Sequence, residues 1–291
     1  METKHLSPTF GSEIAGVDIT TERDPVTIAE AVGELDDRQL VLLREQHLSL
    51  DKQVAFVNWF GDVRLPNREY SPESTFELYS SNAMGDRGTG QSLEFLPHQD
   101  YIWSKKPLPG ICLYALEVTR VGGETIWTDL RQAYRTLPAK TKERISDLRA
   151  IHVGPPKRGS AASPTIGAET DISSSYLPAT GSLESLEHTS RPLVSTHPRT
   201  GEQFLLVSRL QTHSIEGLPE AESTALLSEL LAHVDDPGLC YVHSWEVGDV
   251  VIWDNLSLCH ARNAFCETER RTLRKLQVDI RTTAADVAAG A

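Results

Sequence analysis

The sequence has few cysteines and no apolar stretch long enough to cross a membrane. Its four cysteines show none of the C-x-x-C spacing that is typical of zinc sites and redox motifs. Scattered thiols indicate a reducing compartment, so we expect a cytoplasmic protein without a disulfide framework. The N-terminus lacks the apolar segment of a signal peptide, and no apolar run approaches the roughly 20 residues of a transmembrane helix. These absences argue against a secreted or membrane-embedded protein.

Positive charge is also scarce, because 28 lysines and arginines face 41 aspartates and glutamates, for a net charge of −13. Such a chain repels the phosphates of nucleic acids and the surfaces of anionic membranes, so neither is expected as a partner. No linker or internal repeat divides the 291 residues. We therefore expect one domain, residues 1–291, that acts on a small molecule. The sequence leaves a homo-oligomer open.

Strand-like segments outnumber helix-like ones in the last two thirds of the chain, without a glycine-rich nucleotide loop or a repeated alternation of strands and helices. Apolar runs predict strands at residues 110–118, 250–253 and 272–280. Amphipathic segments predict helices at residues 26–38 and 219–234. The pattern indicates a mainly β fold, either a barrel or a two-sheet sandwich, with helices packed outside.

Residues 155–190 differ from the rest in composition, because Ser, Thr, Pro, Gly and Ala dominate them. So long a segment without periodicity inside a compact domain is usually a functional loop or a disordered insertion. We expect a lid that closes over the substrate. A surface insertion without a role is the alternative.

Residues 96–100 (LPHQD) contain a histidine and a carboxylate two positions apart. On an extended strand such residues point to the same face, so His98 and Asp100 can bind one metal ion while Gln99 points away. A second histidine from a distant strand would complete the two-His-one-carboxylate set of non-haem Fe(II) oxygenases, which leaves coordination positions open. A lone H-x-D triplet is weak evidence, and an ordinary core histidine is the alternative for His98.

A second motif, residues 253–260 (WDNLSLCH), is followed by Arg270 and Arg271. Together with the H-Q-D triplet and with residues 122–125 (GGET), it resembles the taurine dioxygenase-like (TauD/TfdA) family of Fe(II)/2-oxoglutarate oxygenases. The resemblance extends over most of the chain. It implies a double-stranded β-helix core, also called a jelly roll or cupin-like fold. It also implies Fe(II) as cofactor, and 2-oxoglutarate and O2 as co-substrates.

The same resemblance implies roles for individual residues. His98, Asp100 and His260 match the catalytic iron ligands. Arg271, eleven residues after His260, matches the arginine that pairs with the far carboxylate of 2-oxoglutarate, and Thr125 matches the hydroxyl donor to that group. Neighbours on a strand face opposite ways, so we expect Arg271 in the pocket and not the adjacent arginine. Because Asp100 is present, halogenation is not expected, since family halogenases have a small residue there.

Two departures from the family pattern bear on the substrate. Fifteen residues after the distal histidine, sulfonate-using members have an arginine and this chain has Lys275. Four residues before the first histidine they have an asparagine and this chain has Glu94. Taurine is therefore a poor fit, whereas Glu94 in the pocket favours a substrate amine, and Lys275 or Arg209 can bind a carboxylate. Tyr101, directly after the metal motif, is the fourth candidate substrate residue. An exposed Glu94 is the alternative.

These features predict a dioxygenase that hydroxylates an unactivated C–H bond of a small, amino-acid-like or amine-bearing substrate, with succinate and CO2 as co-products. One alternative is a desaturase or other oxidative tailoring enzyme that uses the same iron site. Another is a non-catalytic binding barrel, although binding alone needs neither the iron ligands nor Arg271. His197, His213 and His243 are further candidates for lining a pocket.

Overall fold

The fold is taken from a computed structural model that describes residues 1–64, 78–82, 92–156 and 183–281. Seventeen strands occur in these ranges, and they are β1 (Glu2–His5), β2 (Ser12–Ala15), β3 (Leu40–Leu43), β4 (Gly61–Arg64), β5 (Leu78–Ser81), β6 (Phe95–His98), β7 (Gly110–Glu117), β8 (Thr125–Asp129), β9 (Arg149–Pro156), β10 (Leu186–Pro192), β11 (Val194–Thr196), β12 (Gln203–Leu205), β13 (Thr212–Ile215), β14 (Cys240–His243), β15 (Val250–Asp254), β16 (Leu258–Arg262) and β17 (Thr272–Ile280). The helices in these ranges are α1 (Pro25–Arg38), α2 (Leu50–Phe60), α3 (Leu130–Thr136), α4 (Ala139–Ile145) and α5 (Glu220–Val234), with 3-10 turns at Leu183–Ser185 and Pro237–Leu239.

Two sheets carry the architecture. The larger has eight strands in the order β1-β2-β3-β15-β7-β17-β4, and β5 also pairs with β17. The smaller has four, in the order β14-β8-β16-β6. Their strand pairs are antiparallel except for β2 with β3. Because strands distant in sequence, such as β7 and β17, are neighbours, the chain must cross repeatedly between the sheets, as in a jelly roll. The predicted mainly β fold with a double-stranded β-helix core is confirmed.

Aromatic side chains form a core that includes residues of both sheets. Trp127 on β8 and Trp253 on β15 meet edge to face, with ring centroids 5.4 Å apart, and both are fully buried. Leu113 on β7, Leu258 on β16 and Leu273 on β17 belong to the same cluster. Removing one such aromatic side chain typically costs about 3–5 kcal/mol of stability. The strand that carries His260, β16, is therefore anchored in this core through Leu258 and pairs with β8, which carries Trp127.

Local capping explains where the first two helices begin. Asp24 accepts hydrogen bonds from two backbone N–H groups of the first turn of α1, and Pro25 occupies the first position of that helix. Ser49 caps α2 by accepting from the N–H of Lys52. Both helices contribute apolar residues to a cluster with the larger sheet. In the described ranges, every helix is too short or too polar to cross a membrane.

The segment predicted to be a lid, residues 155–190, falls mainly on residues 157–182, which lie outside the described residues. Its C-terminal end is not a loop, because Leu186–Pro192 forms β10 and pairs with β9. The sequence did not indicate this strand, since LEHTSRP contains mixed polar residues without apolar alternation. Pairing with β9 supplies its backbone hydrogen bonds, and this pairing is a tertiary contact.

Candidate functional site

Three potential metal ligands, His98, Asp100 and His260, converge at one end of the smaller sheet. His98 ends β6 and lies opposite His260 of β16 in antiparallel register, so that their ring centroids are 4.1 Å apart. Oδ1 of Asp100 lies 3.4 Å from Nε2 of His98. One donor atom from each residue lies within 4.8 Å of the others, so a single ion can contact all three.

Asp100 reaches this cluster by a different route from the one predicted. Strand alternation requires both residues to lie on one strand, but β6 ends at His98 and Asp100 lies in a turn. The next residue, Tyr101, has a φ of 58°, in the left-handed region. The side chain of Asn255 holds the turn, because it donates to Asp100 O at 2.9 Å and accepts from Asp100 N at 3.1 Å. A tertiary contact, and not strand alternation, sets the direction of the carboxylate.

Gln99 points away from the metal ligands, as predicted, and ties the two ligand-bearing strands together. Its Nε2 donates to the carbonyl of Leu256 at 2.6 Å, in the turn between β15 and β16. Its backbone N–H donates to Oε1 of Gln211 at 3.0 Å. The side chain is fully buried, so these bonds are protected from water.

The ring nitrogens of the two histidines are placed to meet a metal ion. Nδ1 of His98 lies 2.8 Å from the carbonyl of Leu96, which can only accept, so Nδ1 carries a hydrogen and Nε2 is the ring nitrogen that faces the cluster. Burial lowers the pKa of His260 well below its ordinary value. Neutral imidazole is the state that binds a metal ion.

The carboxylate of Asp100 is held in its ionised form. Burial alone would raise its pKa, but the ammonium of Lys275 holds the pKa well below the usual range. Lys275 forms an ion pair with Oδ2 of Asp100, while Oδ1 faces His98. One oxygen is therefore directed at the ligand cluster and the other at an ammonium group.

Arg271 is a buried cation beside Thr125. Its Nε donates to Gly123 O at 2.8 Å, Nη1 to Ser80 Oγ at 3.2 Å and Nη2 to Thr125 Oγ1 at 3.4 Å. Only 3% of Arg271 is exposed, and no carboxylate in the described residues forms a salt bridge with it. Burial lowers the pKa of Arg271 to about 9, and the charge of Arg262 adds to this shift. A buried guanidinium without an anionic partner is costly and matches a ligand carboxylate in charge and shape.

Gly123 makes room for this arginine. Its φ of 75° is a conformation that L side chains rarely adopt. A Cβ there would lie 2.9 Å from Thr119 Oγ1 and 3.0 Å from Cδ of Arg271. Arg270, by contrast, has a mostly exposed side chain that pairs with Glu117. Arg271 therefore points into the interior and Arg270 points to the surface, in the directions expected from the sequence.

The four candidate substrate residues are placed very differently. Lys275 alone among them forms an ion pair with a cluster residue in the described part of the chain. Glu94 is exposed just before β6. Arg209 pairs with Asp235 at the end of α5, and 47% of its side chain is exposed. Tyr101 is half-buried, and its ring centroid lies 5.6 Å from that of Trp103. The placements do not support pocket roles for Glu94 and Arg209, because one is in solvent and the other is already paired at the surface.

Two of the other candidate histidines have structural partners. His197 lies 2.6 Å from Asp254, and His243 lies 3.0 Å from Asp249, and all four side chains are buried. Such pairs stabilise the interior and need no ligand. His213 is half-buried, and its Nδ1 lies 2.9 Å from Ser214 Oγ.

Neither Asn255 nor Trp245 was predicted as a site residue from the sequence. Asn255 lies within the WDN segment that carried the resemblance. Its amide lies shortly after the strand predicted at residues 250–253, and this position could have indicated a buried hydrogen-bonding role. Trp245 Nε1 donates to Thr125 Oγ1 at 2.9 Å across a separation of 120 residues, for which no local signal exists.

The sequence profile described as "Taurine catabolism dioxygenase TauD, TfdA family" matches residues 2–277. The chain belongs to this family. It is 30% identical over 289 residues to the alpha-ketoglutarate-dependent 2,4-dichlorophenoxyacetate dioxygenase of Burkholderia sp. (strain RASC), covering 94% of this chain and 93% of that relative. It is also 30% identical to pentalenolactone F synthase of Streptomyces arenae, covering 92% and 91%. The crystal structure of AAD-2 in complex with Mn(II) and N-oxalylglycine matches with a TM-score of 0.73 at 25% identity, over 97% of this chain and 99% of that one.

As a TauD/TfdA member, the protein is an alpha-ketoglutarate-dependent dioxygenase that uses Fe(II), 2-oxoglutarate and O2. The described residues fit these groups. Two imidazoles and one carboxylate are the donor set that suits Fe(II) with open coordination positions. The buried guanidinium of Arg271, beside the hydroxyl of Thr125, suits the far carboxylate of 2-oxoglutarate.

Proposed function

We propose that this TauD/TfdA dioxygenase hydroxylates an unactivated C–H bond of a small molecule that carries a carboxylate. In this proposal His98, Asp100 and His260 bind the iron, and the co-products are succinate and CO2. The observation that carries the proposal is the cluster of two imidazoles and one carboxylate with the ammonium of Lys275 directly beside it.

His98, Asp100 and His260 would hold the iron, and the iron with 2-oxoglutarate and O2 would supply an oxidant strong enough to attack a C–H bond, with succinate and CO2 as co-products. The protein's own part is to bind and orient. Arg271 and Thr125 donate to the far carboxylate of 2-oxoglutarate, which directs its other end toward the iron ligands. The burial of both residues keeps water away from these hydrogen bonds and strengthens them.

Lys275 is suited to hold the substrate carboxylate. Its ammonium has three N–H donors and no acceptor, and in the described residues Asp100 is its only hydrogen-bond partner. Two donors remain for a ligand, and the side chain is 19% exposed and so accessible. A carboxylate bound there lies next to the iron ligands, which brings the neighbouring carbon atoms close to the oxidant. A similar enzyme from Burkholderia sp. is named for a carboxylate substrate, 2,4-dichlorophenoxyacetate.

An amine on the substrate has less support. The amino-acid-like prediction depended on Glu94 facing the pocket, and Glu94 is exposed. In our proposal the enzyme therefore recognises the carboxylate of the substrate. Amino acids are included in the experiment to test whether an amine also contributes.

The experiment compares matched small molecules for substrate-dependent formation of succinate and for a mass gain of one oxygen atom. Each carboxylic acid is paired with its primary amide and with its α-amino acid. We expect the acids to stimulate turnover and the amides to fail. Lys275→Met should abolish this preference, whereas Arg209→Met, which removes a surface cation, should keep it. Equal stimulation by the amides would contradict the proposal, and loss of two hydrogens in place of oxygen gain would favour a desaturase.

A further inference from the structure

The hydroxyl of Thr125 has an unusual set of hydrogen-bond partners. Trp245 Nε1 donates to its oxygen at 2.9 Å, and Arg271 Nη2 donates to it at 3.4 Å. Neither group can accept a hydrogen bond, because indole N–H and guanidinium carry only donors. The hydroxyl hydrogen therefore points at neither of them, and among the described residues no acceptor takes it.

We infer that Trp245 is a positioning residue for the co-substrate. A hydroxyl has two lone pairs and one hydrogen, so two donors that occupy the lone pairs leave a single direction for the hydrogen. In this arrangement the O–H of Thr125 is turned toward the ligand that Arg271 also faces, which is the far carboxylate of 2-oxoglutarate. The inference rests on the proposed function, because it takes Thr125 and Arg271 as the residues that bind that carboxylate.

The indole is itself held firmly, so the orientation exists before the ligand arrives. Trp245 is 8% exposed and packs edge to face against His243, with centroids 4.7 Å apart. His243 lies 3.0 Å from Asp249 and 3.1 Å from the hydroxyl of Tyr241. His243 is also the cross-strand partner of Thr125 in the pairing of β14 with β8. A donor fixed in this way removes the need to orient the hydroxyl during binding.

The decisive variant is Trp245→Phe, which keeps an aromatic ring and deletes the N–H. Binding of 2-oxoglutarate to the Mn²⁺-loaded protein is measured by calorimetry, without turnover. We expect the dissociation constant for 2-oxoglutarate to rise roughly three- to tenfold, as for the loss of one neutral hydrogen bond. The affinity for Mn²⁺ should not change.

Trp127→Phe is the matched control. Trp127 is fully buried in the same aromatic cluster, with its ring centroid 6.3 Å from that of Trp245, and its Nε1 has no hydrogen-bond partner in the described chain. The same ring change there deletes an N–H that donates to nothing. It should leave the affinity for 2-oxoglutarate at the wild-type value.

A double-mutant cycle separates positioning from general packing. In a Thr125→Val background the hydroxyl is absent, so Trp245→Phe should cause no further loss. An equal loss in both backgrounds, or no loss in either, would overturn the inference. If Thr125→Val alone bound 2-oxoglutarate with wild-type affinity, Thr125 would not be a co-substrate ligand. That outcome would overturn the proposed role of Thr125 and is distinct from a failure of the inference about Trp245. If Trp245→Phe does not fold, a benzothiophene side chain at this position keeps the ring size and lacks the N–H.

Discussion

Asn255 forms hydrogen bonds with both the backbone N–H and the backbone carbonyl of Asp100. It lies in the turn that leads to β16, the strand that carries His260. Its Oδ1 accepts from the N–H of Asp100, and its Nδ2 donates to the carbonyls of Asp100 and Leu108. The side chain is fully buried. Asn255 lies five residues before His260, so one short segment carries one candidate ligand and orients another.

We expect Asn255→Ala to weaken metal binding. Without the amide, the turn at Asp100 loses its fixed direction, and loss of an outer partner of a ligand typically costs 10–100-fold in affinity. Mn²⁺ titration of the metal-free protein measures the change. Gln53→Leu is the control, because Gln53 is a fully buried amide that binds Arg274. It should lower Tm and leave the Mn²⁺ affinity unchanged. Equal Mn²⁺ affinities in Asn255→Ala and Gln53→Leu would contradict a role for Asn255 in metal binding.

His98→Ala, Asp100→Ala and His260→Ala should each abolish Fe(II)-dependent succinate formation while the fold persists. Three ligands leave little redundancy for a labile divalent ion. Circular dichroism checks the fold, and iron titration checks the site. Cys259→Ala is the neighbouring control, because its Sγ is buried and lies 3.6 Å from the carbonyl of Val207. Wild-type iron affinity in any of the first three variants would remove that residue from the site.

The adjacent arginines provide a matched pair for co-substrate binding. Arg271→Ala should raise KM for 2-oxoglutarate about tenfold to more than a hundredfold, since a charge-assisted hydrogen bond in a buried site contributes roughly 1.5–3 kcal/mol. Arg270→Ala removes an exposed charge that pairs with Glu117 and should change KM little. Steady-state kinetics at saturating iron measure KM for 2-oxoglutarate in both variants. A large increase in KM for Arg270→Ala with a small one for Arg271→Ala would show that Arg270, and not Arg271, binds the co-substrate.

His152 should make the fold less stable in acid. Burial lowers its pKa to about 3, with the charge of Arg191 as the smaller cause, against 6.5 in a free side chain. Between these values the unfolded chain binds more protons, so stability rises with pH, is complete above about pH 6.5 and is lost toward pH 3. The contribution is at most about 1.4 kcal/mol per pH unit.

Urea unfolding of wild type and His152→Leu tests this dependence. Between about pH 7.5 and about pH 5 the wild type should lose more stability than the variant, because only the wild type carries the buried imidazole. Parallel losses in the two proteins would show that His152 does not titrate in this way.

Local chemistry explains what the sequence by itself determined. The helix predicted at residues 26–38 is observed at Pro25–Arg38, and Asp24 caps it through hydrogen bonds to residues two and three positions away, so its start is determined within a short segment. The apolar run of residues 272–280 forms β17 with the predicted bounds. The order and spacing of the two motifs were sufficient to name the family, because the identities and separations of these residues are properties of the chain.

Tertiary structure alone decided how the side chains of Asp100, Lys275 and Thr125 are directed and paired. Strand alternation predicted the direction of the Asp100 side chain. However, β6 ends at His98, and the hydrogen bonds of Asn255 set that direction instead. Lys275 was predicted to be free for substrate, yet it also holds Asp100 across 175 residues. The contact of Trp245 with Thr125 spans 120 residues. Such contacts depend on which strands become neighbours, and local periodicity carries no information about pairing between distant strands.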